Sequence, residues 1–233
     1  MSDLSLWQRL KTSFAASAGQ VVFGMEDGTV SIFGLVFGVA ATTNDQAAVL
    51  VAGASGAVAA AVSMMAGTYL DVETNRDQAR VMTSRVEADL RNNGATVVDS
   101  VTRRLTAAGL SADQAASFGS FLSSQPAVLK SLATALTTSS GSNQSPLVQS
   151  LWMLVADFLA AAIPILPFAF LPVPEGRVVS GTVTTLLLIG LGIGRGLIGG
   201  RNVLRTMIET LAIGVAAALA GVAIGLWISH LSS

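Results

Sequence analysis

Five stretches of mostly apolar residues, each about 20 long and so able to cross a bilayer's hydrocarbon core as a helix, constrain this chain more than any other feature. They cover residues 21–42 (VVFGMEDGTVSIFGLVFGVAAT), 47–70 (AAVLVAGASGAVAAAVSMMAGTYL), 147–171 (LVQSLWMLVADFLAAAIPILPFAFL), 178–198 (VVSGTVTTLLLIGLGIGRGLI) and 203–228. Glu26 and Asp27 interrupt the first. Charged residues make up 12% of the chain, about half the share a soluble domain carries. With 52% apolar residues and a mean hydropathy of +0.65, lipid is the main solvent of this fold and disorder is excluded.

The cations orient the five spans. Short flanks carrying Lys and Arg stay in the cytoplasm. Arg9 and Lys11 precede the first span. Arg76, Arg80, Arg85, Arg91, Arg103, Arg104 and Lys130 lie between the second and third, and Arg195, Arg201 and Arg205 surround the junction of the fourth and fifth. With the N-terminus inside, all of these face the cytoplasm and Arg177 alone falls outside. The expected fold is therefore an all-α membrane protein of five transmembrane helices, N-in and C-out, with a small helical cytoplasmic domain between the second and third.

Residues 1–20 lack the short apolar core and cleavage site of a signal peptide. Leu4, Leu6, Trp7, Leu10 and Phe14 recur at helical spacing instead. That pattern predicts either an amphipathic segment on the inner interface or a plain helical overhang. Spans one and two then occupy 21–70, the cytoplasmic helical domain 71–146, and spans three to five 147–230. Within the polar insert, the second spanning helix continues past Asp71 and stops at Asn93–Gly94. A further helix presents Val98, Val101, Leu105 and Ala108 on one face and ends at Gly109. Ser111 and Gln114 form a capping box for the next, and Pro126 opens one more, through Thr137. SSGSNQS is a flexible linker. So small a module has little core of its own and is expected to pack on a partner copy.

Several function classes are excluded early. The chain has no cysteine and one histidine, His230, which removes disulfide scaffolds, Cys-ligated metal and a Ser-His-Asp triad. A net charge of −1 carries no footprint for nucleic acid. The glycine run GLGIGRGLIGG follows a spanning helix rather than a strand, so it is not a dinucleotide loop. No nucleophile–base pair appears, and the reading is not an enzyme and without a bound cofactor.

Ionisable groups at membrane depth are costly and mark function by default. Glu26, Asp27, Asp157 and Glu209 are the candidates. Asp27, Ser31, Gly34 and Gly38 share one helix face, so a carboxylate heads a strip nearly bare of side chains, suited to a narrow aqueous path; the bland reading is close helix packing at small residues. Met64 and Met65 sit in the second span. A thioether is soft and a carboxylate hard, and together they suit a borderline divalent ion such as ferrous iron better than Mg²⁺ or Ca²⁺; two methionines alone are packing filler. Pro164 and Pro167 predict a bend that ends the third span. Glu209 has Arg205 four residues before it, a structural pairing as good as an ion role.

These stretches resemble the vacuolar iron transporter family of divalent-metal transporters. The likeness rests on GMEDGTVSIFGLVFGVAA at 24–41, VAGASGAVAAAVSMMAGTYL at 51–70, IPILPF at 163–168, RTMIETLAIGVAAALAG at 205–221 and the TAAGLSADQA turn of the insert. The resemblance implies a homodimer of five-helix subunits that moves ferrous iron, and often manganese, out of the cytoplasm, commonly in exchange for protons. Asp27 matches the family's Asp-Gly acid and Met64 its Ser-Met methionine, which makes these two the implied transport ligands. Glu26, Asp157, Glu73, Asp77 and Glu87 are further metal candidates.

The chain departs from the family in two places. Gly67-Thr68-Tyr69 stands where many members have Gly-Glu-Tyr. Residues 95–146 hold Asp99 and Asp113 but no glutamate, where metal-binding members carry many. Glu73, Asp77, Glu87 and Asp89 are interspersed with Arg76, Arg80, Arg85 and Arg91, so surface salt bridges are the alternative to metal binding. A second function follows from this: a non-transporting membrane protein that acts on a partner through its cytoplasmic helices. The Ala- and Arg-rich composition points to a bacterial inner membrane, with a vacuolar membrane as the eukaryotic counterpart.

Overall fold

The computed structural model describes residues 5–137 and 145–232. Among these every regular element is helical: α1 (Leu6–Ala16), α2 (Ala18–Thr42), α3 (Gln46–Ala107), α4 (Ala112–Ser124), α5 (Pro126–Thr137), α6 (Pro146–Ile165), α7 (Pro167–Phe170), α8 (Val173–Ile198) and α9 (Val203–Ser232). Five of them, α2, α3, α6, α8 and α9, are long and apolar enough to cross a membrane. The chain divides into two units, Met1–Leu70 with Gln144–Ser233, and Asp71–Asn143. The expected linker over 139–145 falls almost wholly outside the described residues, as does Leu4.

In the first unit α2 is the hub, and glycine decides what it touches. Gly24 and Gly28 abut Met153 and Asp157 of α6, while Gly34 and Gly38 abut Ala217 and Gly221 of α9. Both pairings ascend together, so α2, α6 and α9 run in the same direction. Gly53 and Gly56 of α3 meet Val36, then Ile32 and Leu35, and Gly192 and Gly196 of α8 meet Met207 and Val203 of α9. Those pairings descend, so α3 and α8 run the opposite way. Without a hydrophobic driving force between helices in lipid, close backbone approach supplies the packing at the α2–α6, α2–α9 and α8–α9 contacts, while Gly53 and Gly56 of α3 meet side chains. A core of Ile32, Val36, Ala40, Val49, Ala57, Ala161, Phe168 and Val173 fills the end of this bundle remote from Arg195.

The helix of the third span is interrupted between its two prolines. α6 stops at Ile165, and α7 follows as a single turn opened by Pro167. The carbonyls there are taken by protein: Ser180 Oγ donates to Pro164 O at 2.7 Å, and Gln46 Nε2 to Phe168 O at 2.6 Å. α1 is a separate capped helix, with Ser5 and Gln8 forming a capping box. It docks on α6 through Phe14, edge-on to Trp152 at 5.2 Å, and through Trp152 Nε1 donating to Ser13 Oγ at 2.9 Å. Trp7 and Leu10 stay exposed, which fits both the amphipathic segment and the plain overhang.

The second unit has a small core of its own: Val86, Val97, Val101, Leu122, Leu129 and Ala133. α3 leaves helical geometry at Asn93 (φ −156°, ψ 75°), where the sequence places its stop. Gly109 takes φ +113°, a value that favours glycine, and Leu110 N donates to Leu105 O at 3.1 Å, closing the helix end. Ser111 and Gln114 make the expected capping box, and α5 spans the expected range. One expectation needs correction. Ala108 is exposed rather than on the apolar face, because the helix ends at Ala107; Val97 takes the buried place instead.

Candidate functional site

Glu26 and Asp27 follow each other on α2, so their side chains diverge by about 100°, and the fold treats them differently. Both line a cavity of about 560 Å³ bounded by α2, α8 and α9, together with Phe23, Val30, Arg195 and Ile213. Glu26 is neutralised. Its Oε1 accepts from Arg195 Nη1 at 2.9 Å and from the buried Thr210 hydroxyl at 3.0 Å. Arg195 also lies 3.6 Å from Glu209, which is held by Arg201 at 3.4 Å and Arg205 at 3.0 Å. The Arg205–Glu209 pair is the one its spacing predicts. Asp27 takes part in none of these bonds. It is half-buried on the cavity wall, an acid without a fixed counter-charge.

Asp157 is in a different place. It sits on α6 in the seam with α2, fully buried, and neither carboxylate oxygen has a hydrogen-bond partner. A side chain on Gly28 would strike the backbone carbonyl of Asp157 first and come within 2.9 Å of its Oδ1, so the backbone and the carboxylate of Asp157 together fill the space glycine leaves. A charge taken out of water and left unpaired is among the most expensive things a fold can hold.

Met64 is half-buried on α3. It lies two turns beyond Gly56, which meets Ile32 and Leu35 of α2, and the cavity lining does not include it. The remaining candidates lie in the second unit. Asp77 pairs with Arg80 at 3.2 Å and Glu87 with Lys130 at 2.7 Å. The Lys130 bond and charge hold the Glu87 carboxyl below the ordinary glutamate range. Glu73 is half-buried on α3. Among the described residues no three His, Cys, Asp or Glu side chains converge as a metal-binding group, so any cation here must draw further ligands from thioether, carbonyl or water.

Sequence reasoning missed Arg195 as the counter-ion of Glu26. The two are 169 residues apart, and the sole signal was an arginine inside a spanning run. Thr210 was missed for the same reason.

These features define a class: an all-α integral membrane protein with acids inside its spanning helices, Glu26 and Glu209 neutralised by arginine and Asp27 and Asp157 bare. The VIT family model matches residues 18–226, and the chain belongs to this family. A vacuolar iron transporter from Centaurea cyanus is 24% identical over 203 residues, which cover 86% of this chain and 83% of that protein.

Proposed function

We propose that the protein carries divalent metal across the membrane, ferrous iron and also manganese, out of the cytoplasm and in exchange for protons, as a homodimer. One observation carries this reading: Asp27 stands uncompensated on a cavity in which its neighbour Glu26 is already neutralised by Arg195. A mobile cation is the counter-charge that site lacks. Membership of the VIT family supports metal as the cargo. Asp27 supplies the hard ligand and Met64, on the next spanning helix of the chain, the soft one, a combination that favours borderline divalent ions. A carboxylate that releases metal can take up a proton in its place, which makes Asp27 the coupling group.

The direction follows from the cations. Arg195, Arg201 and Arg205 gather where α8 meets α9, and the Glu26–Arg195 pair sets the beginning of α2 at that same end. By the charge rule this end is cytoplasmic, so the cavity opens toward the metal supply. A bacterial inner membrane or a vacuolar membrane would both place export away from the cytoplasm.

The test is metal uptake into proteoliposomes that enclose a metal-quenched dye, with Fe²⁺ and Mn²⁺, with and without a pH gradient. Wild-type flux should grow with the gradient and fall at least tenfold in Asp27→Asn and in Met64→Ala. Flux that survives both substitutions would overturn the site. A second reading, a non-transporting protein acting through the unit at 71–143, is favoured by the engagement of Asp77 and Glu87 in ion pairs, which leaves that unit poor in free metal ligands. It requires a folded dimer with no flux and a specific partner for those helices.

A further inference from the structure

Asp157 is the one carboxylate among the described residues with both oxygens buried and unpartnered. It does not stand alone in the α2–α6 seam. Met153 is one helical turn earlier on the same face of α6, also fully buried. Residues at i and i+4 have Cβ atoms about 5–6 Å apart, within the reach of a flexible thioether and a carboxylate toward one ion. Both side chains point at the same feature of α2. A Cβ on Gly24 would meet Met153 Sδ at 2.6 Å, and one on Gly28 would meet Asp157 Oδ1 at 2.9 Å. Two glycines thus give a sulfur and a carboxylate access to the backbone of α2 beside Asp27.

We infer that Met153 and Asp157 form a second cation-binding position, distinct from Asp27 and Met64, selective for borderline and soft divalent ions. The chemistry of the pair sets the class. A carboxylate alone would accept Mg²⁺, Ca²⁺ or Mn²⁺, while the adjacent thioether favours Fe²⁺ and softer ions such as Cd²⁺. Burial sets the need: the fold leaves Asp157 without a donor, and a cation supplies the missing partner. The position lies on the other side of α2 from the cavity wall, so the cargo passes from an open site to an enclosed one around a single turn of helix. This inference rests on the proposed reading of the protein as a metal carrier.

Equilibrium binding separates the two. Purified full-length protein in detergent is titrated with Cd²⁺ and Mn²⁺, with Mg²⁺ as control. Wild type should show two classes of Cd²⁺ site per chain. Asp157→Asn and Met153→Leu should each remove the same class, at least tenfold in affinity, and the double variant should lose no more than either alone. Met153→Leu keeps the volume of the side chain and should weaken Cd²⁺ far more than Mn²⁺, a difference that a packing role would not produce. Asp27→Asn should remove the other class. An unchanged Cd²⁺ isotherm in Asp157→Asn and Met153→Leu would overturn the second site while leaving transport through Asp27 intact. Loss of Cd²⁺ binding in these two variants together with undiminished flux in Asp27→Asn would support the second site and overturn the Asp27 assignment instead.

Discussion

Arg195 makes the difference between two adjacent acids. It gives Glu26 a charged hydrogen bond in a half-buried setting, with side-chain exposures of 31% and 13%, and it leaves Asp27 bare. Removing one member of such a pair strands the other. Arg195→Gln should destabilise the protein by about 1–3 kcal/mol, toward the low end because Arg195 is partly solvated. Glu26→Gln added to Arg195→Gln should recover part of that loss. Denaturation in detergent across the double-mutant cycle measures the coupling, and strict additivity would show that the pair contributes nothing. Lys130 acts in a comparable way on Glu87, but at an exposed site. Because the folded Glu87 carboxyl lies below its ordinary value of 4.5, the pair stabilises the protein above that value and the contribution is lost as pH falls through the folded value. Carboxyl NMR should show the Glu87 midpoint rising to the ordinary range in Lys130→Gln, with the acid loss of stability reduced. A midpoint that stays put would remove Lys130 as the cause.

Between helices, missing side chains do most of the work. A methyl on Gly28 would strike the backbone carbonyl of Asp157, which cannot move aside as a flexible side chain can. Gly28→Ala should therefore push α2 from α6 and cost about 1–3 kcal/mol. Gly67 of α3 has open space around it. Gly67→Ala should be neutral or stabilising, by up to about 1 kcal/mol from helix propensity. Thermal unfolding of the two variants side by side checks this, and equal effects would mean that contact does not decide the role of these glycines. The helix ends were open to reading in advance. Pro126, the Ser111–Gln114 box, the stop at Asn93 and the turn at Gly109 are local chemistry, set within a few residues. Ala108 was misplaced because an apolar period does not announce where its helix ends.

Across the whole bundle, the same-direction run of α2, α6 and α9 and the reverse run of α3 and α8 is the order that alternating passage through a membrane produces. The chain has no cysteine, so single-cysteine variants report cleanly on its sidedness. With the N-terminus inside, Asn202→Cys between α8 and α9 should react with an impermeant thiol reagent from the cytoplasmic side alone, and Asp45→Cys between α2 and α3 from the opposite side alone. The reverse labelling would invert the proposed direction of transport. The amino-acid sequence by itself determined the helical class, the spanning lengths and the presence of acids at membrane depth, because hydrophobic length and the cost of buried charge act on each segment separately. Only the tertiary structure decided which acid is neutralised and which is left bare. Arg195 and Thr210 reach Glu26, and Met153 lies with Asp157 against Gly24 and Gly28. A counter-charge or a glycine gap brought from far along the chain leaves no periodic trace in sequence; it exists once the helices have packed.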